Sequence, residues 1–153
     1  MNTEGLSPAC AKLLHEKSRR KLTFSEIASE LNHDEVWTAA LFYGRASPSL
    51  KDIHKLAQLL NLSAETLQED FRTSGPPVRH IGPEDMLGDP VTSPLSDAIR
   101  LYAPAIRSVV WEQLGDGSVS LPHTKVKVET QPTNPSHNIK VVLESKYVPF
   151  QSW

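Results

Sequence analysis

KVKVETQPTNPSHNIKVVLESKY, residues 125–147, decides the fold class. In its first part Val126 and Val128 alternate with Lys125, Lys127 and Glu129, the period of two that a strand with one apolar face requires. In its second part Ile139, Val141, Leu143 and Tyr147 fall on one parity. TQPTNPSHN between them has the composition of a turn or loop. Two strands do not make a stable sheet in water on their own. Either helices or another chain must complete this one, so the C-terminal third is predicted to be an oligomer interface.

Upstream of the strands, residues 94–114 are predicted to be one long helix, with Leu95, Ile99, Leu101, Tyr102, Ile106, Val109, Val110 and Leu114 as its apolar positions. Pro104 is expected to kink or divide it, because proline lacks a backbone donor and clashes with the preceding turn. Ser93 and Pro94 read as an N-cap and a first helical residue, and GDG at 115–117 ends the helix. Residues 72–92, RTSGPPVRHIGPEDMLGDPVT, hold four prolines and three glycines without a period, the composition of a linker.

Residues 8–71 read as a run of short helices. Pro8 follows Ser7 at a helix start, with Leu13 and Leu14 as the apolar side. Thr23 with Glu26 is a capping-box pattern that opens a helix carrying Phe24, Ile27, Ala28 and Leu31. Asn32 with Glu35 repeats the pattern and opens a helix with Val36, Ala40 and Tyr43 near one face, stopped by Gly44. Ser49 or Ser47 caps LKDIHKLAQLL, where Leu50, Ile53, Leu56, Ala57 and Leu60 recur at helical spacing. Ser63 caps a last helix through Leu67 and Phe71. The fold class is therefore α+β. A helical N-terminal domain over 1–75 resembles a helix-turn-helix, lambda-repressor-like module. A linker over 76–92 leads to a dimerisation domain over 93–153.

Composition narrows the function. The chain has 153 residues, 39% hydrophobic and 22% charged, with a net charge of -2. A polyanion-binding protein usually carries a basic excess. Residues 1–75 hold nine Lys or Arg against ten Asp or Glu, a net of -1, and the candidate recognition helix opens on Asp34 and Glu35 rather than on base-reading side chains. The one basic cluster is Lys17, Arg19, Arg20 and Lys21. DNA binding is the distant reading, and nucleic acid is not an expected partner. Cys10 is the sole cysteine, and His15, His33, His54, His80, His123 and His137 are scattered without a pair at ligand spacing. No metal site is expected. His33 is read as a helix-turn residue and His54 as a solvated one. The first residues lack the apolar core of a signal peptide, Glu4 counts against a transit peptide, and no apolar run reaches the roughly 20 residues that span a membrane. The expectation is a cytoplasmic chain without a membrane partner.

The stretch KLTFSEIASELNHDEVWTAALFYGRASPSLKDIHKLAQLLNLSAETLQE, residues 21–69, resembles the N-terminal domain of the cyanase (cyanate hydratase, cyanate lyase) family, in its F-x-x-I-A pattern and its TAALFYG segment. A second block resembles the family more specifically: the pair Asp89–Pro90, a helix, GDG, then a serine. The ending KYVPFQSW resembles the family's K-[FYW]-L-P terminus, with Val148 at the leucine position. The resemblance runs from about residue 10 to 153. It implies bicarbonate-dependent conversion of cyanate to carbamate, which decomposes to ammonia and carbon dioxide, a role in cyanate detoxification and nitrogen metabolism. It implies no metal and no organic cofactor, bicarbonate being a co-substrate. It also implies strands interlocked between two subunits, and five such dimers in a decamer with active sites between subunits.

The family's chemistry rests on an arginine and a glutamate at i and i+3 on the long helix and a serine after GDG. Two anions must be brought together, and a guanidinium offers a fixed charge with planar donors. A serine hydroxyl holds further oxygens, a carboxylate orients the arginine or handles a proton, and positioning itself supplies rate. Aligned back from GDG without a gap, the serine is Ser120, the glutamate position holds Asp97, and the arginine position holds Pro94. The family's Y-R-[FL]-Y-E reads S-P-L-S-D. Three readings follow: an inactive cyanase-like oligomer, a shifted pair in which Asp97 and Arg100 replace the lost one, or another small-molecule activity in the same cleft. Arg100 stands about 120° around the helix from position 94, and a plain surface ion pair explains Asp97 and Arg100 equally well.

Overall fold

The computed structural model describes residues 5–77 and 88–151. Six helices precede two strands: α1 Pro8–Arg19, α2 Phe24–Leu31, α3 Glu35–Phe42, α4 Leu50–Leu60, α5 Ala64–Thr73, α6 Thr92–Leu114, β1 Gly117–Pro132 and β2 His137–Pro149. The class is α+β. The chain divides into two compact units, Met1–Arg79 with Val126–Val142 and His80–Lys125 with Leu143–Trp153.

Helices α1, α2, α4 and α5 start where a side chain satisfies an orphan N–H group. Ser7 accepts from Cys10 N–H ahead of Pro8, Thr23 forms a capping box with Glu26, and Ser63 accepts from Thr66 N–H. Ser49, not Ser47, caps α4, in a capping box with Asp52. Asn32 departs from expectation. It ends α2 in the left-handed region at φ 60° instead of opening α3, a conformation whose cost asparagine keeps small. Asp34 is the N-cap of α3, with no side-chain cap hydrogen bond.

The face of α3 also differs. It buries Thr38, Leu41 and Phe42, while Val36 and Ala40 are half-buried and Tyr43 is exposed. EVWTAALF is apolar nearly all round, so periodicity alone could not choose its inner side. The buried Thr38 hydroxyl donates to the Asp34 carbonyl at 3.0 Å. Leu50, placed in the apolar stripe of α4, is exposed.

Ala9, Leu13, Leu14, Ile27, Leu31, Leu41, Phe42, Ile53, Leu56, Leu60 and Leu67 form one core. Each buried Leu, Ile or Phe side chain among them contributes roughly 1.5–3 kcal/mol. Among the described residues, every fully buried one lies between Ala9 and Leu67.

The C-terminal part is built differently. α6 runs through Pro104 undivided and has no buried residue. Its N-cap is Val91 rather than Ser93, without a side-chain cap of its own, and Asp89 holds the turn ahead of it: the carboxylate accepts from Val91 N–H at 2.9 Å, Thr92 N–H at 2.5 Å and the Thr92 hydroxyl at 2.8 Å. The helix thus starts at Thr92, and Pro94 is its third residue, where the missing N–H is still one of the four orphan donors. β1 and β2 form a two-stranded antiparallel sheet. β1 begins at Gly117, eight residues before the alternating KVKVE, because Ser and Pro interrupt the pattern there. The central part of the predicted linker, residues 78–87, lies outside the described residues.

Among the described residues, apart from Tyr43 and Leu50, every large apolar side chain left exposed belongs to residues 91–150. Leu101 is 75% exposed and Leu121 72%. No described helix is long and apolar enough to cross a membrane.

Candidate functional site

The turn from α6 into β1 fixes the start of the strand that bears Ser120. Gly115 ends the helix at φ 76° and ψ −169°, a region open essentially to glycine alone. A Cβ on Gly117 would lie 2.6 Å from both Tyr147 Cζ and the Val148 carbonyl oxygen, so only glycine lets β1 approach β2 this closely. The Tyr147 hydroxyl donates to the Gly115 carbonyl at 2.5 Å, and Phe150 N–H donates to the Asp116 carbonyl at 3.1 Å. Burial pushes the Tyr147 phenol above its ordinary value, and the nearby Asp116 charge adds to this. GDG is therefore a clasp between the helix end and β2.

Ser120 follows three residues after Gly117 and is half-buried. Its carbonyl accepts from the Thr124 hydroxyl at 3.0 Å and the Ser145 hydroxyl at 3.0 Å. Thr124 Oγ1 also lies 2.8 Å from Ser145 Oγ. Ser120 Oγ lies 2.7 Å from Nδ1 of His123. His123 was not singled out in the sequence, where only its spacing of three from the serine, across Pro122, could have drawn notice.

Asp97 and Arg100 lie within 3.9 Å of each other on α6, with side chains 71% and 74% exposed. Among the described residues, the side-chain hydrogen bonds of Ser120 go to His123, and those to its carbonyl come from Thr124 and Ser145, none from α6. The chain by itself thus brings together Ser120 with His123, and Asp97 with Arg100, as two separate pairs. Pro94 is exposed in the first turn of α6.

The helical part holds a second polar cluster. His33 Nε2 lies 3.0 Å from Asp52 Oδ1, and the His33 ring stacks on Trp37 at 3.9 Å between centroids. His33 is thus more than a turn residue, whereas His54 is exposed as read. Burial pushes the Asp52 carboxyl up, but hydrogen bonds from Ser49 and His33 outweigh it and hold the carboxyl below its ordinary value. A cleft of about 460 Å³ in this part is lined by residues such as Cys10, Tyr43, Pro48 and Phe71, and by none of the site candidates. Among the described residues, no cluster of three or more His, Cys, Asp or Glu side chains is placed to hold a metal ion.

Fold and site together define an α+β chain with a helix-bundle N-terminal part and a serine-bearing strand pair behind a glycine clasp. The family model described as the cyanate lyase C-terminal domain matches residues 84–152. The cyanate hydratase of Mycosarcoma maydis is 34% identical over 148 residues, covering 95% of this chain and 91% of the relative. That of Coprinopsis cinerea is 29% identical over 151 residues, covering 99% of each. The crystal structure of cyanase from T. urticae matches the fold with a TM-score of 0.78 at 20% identity, covering 92% of this chain and 96% of that one. The chain belongs to the cyanate hydratase family.

Proposed function

We propose that this chain performs bicarbonate-dependent decomposition of cyanate to ammonia and carbon dioxide, in the cytoplasm, at a rate strongly reduced by the loss of the arginine at position 94. The observation that carries it is Ser120, retained behind an intact GDG clasp in a chain 34% identical to a cyanate hydratase. The working unit is a homo-oligomer, a decamer of five dimers, whose subunits complete the site around Ser120. The exposed apolar faces of α6 and the strands support that assembly. No metal or organic cofactor takes part. Two small anions share the cleft, and without a guanidinium at position 94 their repulsion is less screened in a low-dielectric site. Asp97 and Arg100 serve as a weak substitute pair.

The test is ammonia release that requires both cyanate and bicarbonate. Pro94→Arg with Asp97→Glu is expected to raise it, by roughly 100-fold if the restored donor acts as an electrostatic clamp, and Ser120→Ala to abolish it. Pro94→Arg alone should do less, since its orienting carboxylate is a methylene short. A rate equal to that of an arginine-bearing relative in the unmodified protein would refute the lost-arginine argument. If Arg100→Ala then removed that rate, the shifted pair would replace it.

A second reading, a catalytically inactive subunit with the same assembly, is favoured by one observation. Arg100 faces Asp97 on an exposed helix surface. Absence of ammonia release from both the unmodified protein and the double variant would establish it.

A further inference from the structure

On a regular strand, residues three apart point to opposite faces. Ser120 and His123 nevertheless meet at 2.7 Å through Oγ and Nδ1. The strand departs from its pleat between them. Pro122 has no N–H to give a ladder, and the Ser120 carbonyl is engaged by the Thr124 and Ser145 hydroxyls. Two side chains beyond the pair therefore hold the backbone shape that aims His123 at Ser120.

We propose that His123 and Ser120 form a binding site for a small monoanion, with the His123 imidazolium supplying positive charge that Pro94 does not. This rests on the reading that Ser120 faces cyanate. When the imidazole is neutral and carries its proton on Nε2, the Ser120 hydroxyl donates to Nδ1 and has no proton left for a ligand. When the ring is protonated, Nδ1–H donates to Ser120 Oγ, and the hydroxyl proton turns outward. One protonation both adds a charge and reverses the hydrogen bond. The ligand class is a compact monoanion with a terminal acceptor atom. Among the described residues, the ion pairs of the C-terminal part are Asp97–Arg100 and Glu129–Lys140, and neither involves His123. The nearest charged residues along the strands are Lys125 and Lys127 on β1 and Glu144 and Lys146 on β2.

The experiment is calorimetric titration of the full-length protein with azide, a linear triatomic monoanion that cannot become carbamate. It is run at about pH 6 and about pH 8.5, on either side of the range where an imidazole ordinarily changes charge. The unmodified protein is expected to bind azide at the lower pH and to lose roughly tenfold or more at the higher. His123→Ala should weaken binding at the lower pH by roughly 10- to 100-fold, the worth of a hydrogen bond to a charged group. His123→Arg should restore binding that no longer varies with pH. The unmodified profile and His123→Arg decide the matter even where His123→Ala fails to assemble. Equal affinity at both pH values, no binding at either, or unchanged binding in His123→Ala overturns the site. Ammonia release is measured on the same samples. Azide binding as expected without turnover overturns the cyanate reading and leaves the site standing. Turnover with pH-independent azide binding overturns the site and leaves the cyanate reading standing.

Discussion

At Asp52 a buried carboxylate accepts hydrogen bonds from the Ser49 N–H and hydroxyl and meets the His33 ring. Its folded-state titration lies below the ordinary carboxylate range. Such a group stabilises the fold fully above its unfolded value, near pH 4, and the stabilisation is lost as pH falls through the folded one. Asp52→Asn is therefore expected to lower stability by about 1–3 kcal/mol at neutral pH. The gap to the unmodified protein should close in acid, as followed by denaturant unfolding at several pH values. Gly117→Ala makes a different demand, because the new Cβ meets Tyr147 and the Val148 carbonyl at 2.6 Å. A loss of about 1–3 kcal/mol is expected from such overpacking, with a lowered Tm for the C-terminal part. The capping residues Ser7, Thr23, Ser49 and Ser63 were legible because each bonds within its own turn. His123 was not, since its meeting with Ser120 depends on a departure from strand geometry that no period encodes.

For the elements, helix α6 shows where local pattern misleads. Ser93–Pro94 has the form of a helix start, yet the carboxylate of Asp89 reaches ahead to Val91 and Thr92 and starts the helix earlier. The backbone and side-chain donors of Thr92, joined by Val91, hold Asp89 below its ordinary value. Asp89→Ala is expected to fray the first turn of α6, the turn that carries Pro94, with faster amide exchange there and no change in α1–α5. α3 misled in the other direction. Its apolar residues surround the helix, so the inner face emerged only from packing against α1 and α2, while α2 and α4, with one apolar stripe each, were legible. β1 was visible in the sequence only where lysine and valine alternate, and its earlier half was hidden by Ser120 and Pro122.

At the scale of the whole molecule, α1–α5 bury a core of their own while α6 and the strands leave most of their large apolar side chains exposed. Sedimentation of the purified protein is expected to show a large homo-oligomer at micromolar concentration; a monomer would contradict the assembly proposed. A fragment of residues 76–153 is expected to dimerise or to precipitate, since its 78 residues hold, among those described, only one long helix and two strands and cannot bury a sufficient core alone. A stable monomeric fragment would place the core elsewhere. The expectation of a partner comes from two orphan strands, and its proposed stoichiometry from family resemblance rather than from any residue pattern.

The exposed apolar face has a consequence in the arithmetic of symmetry. In the proposed assembly of identical chains, each substitution on α6 or the strands is written into every subunit at once. Across a two-fold contact the same change appears on both sides. Ile99, half exposed in the isolated chain, illustrates the point. Removing one buried methylene by Ile99→Val costs about 0.8 kcal/mol per copy. Doubled by the axis, that is roughly a tenfold change in a dimerisation constant. A change of the same size at Ile27, in the self-contained core, is felt once per chain, so the C-terminal face is the more sensitive of the two surfaces to small changes in side-chain volume.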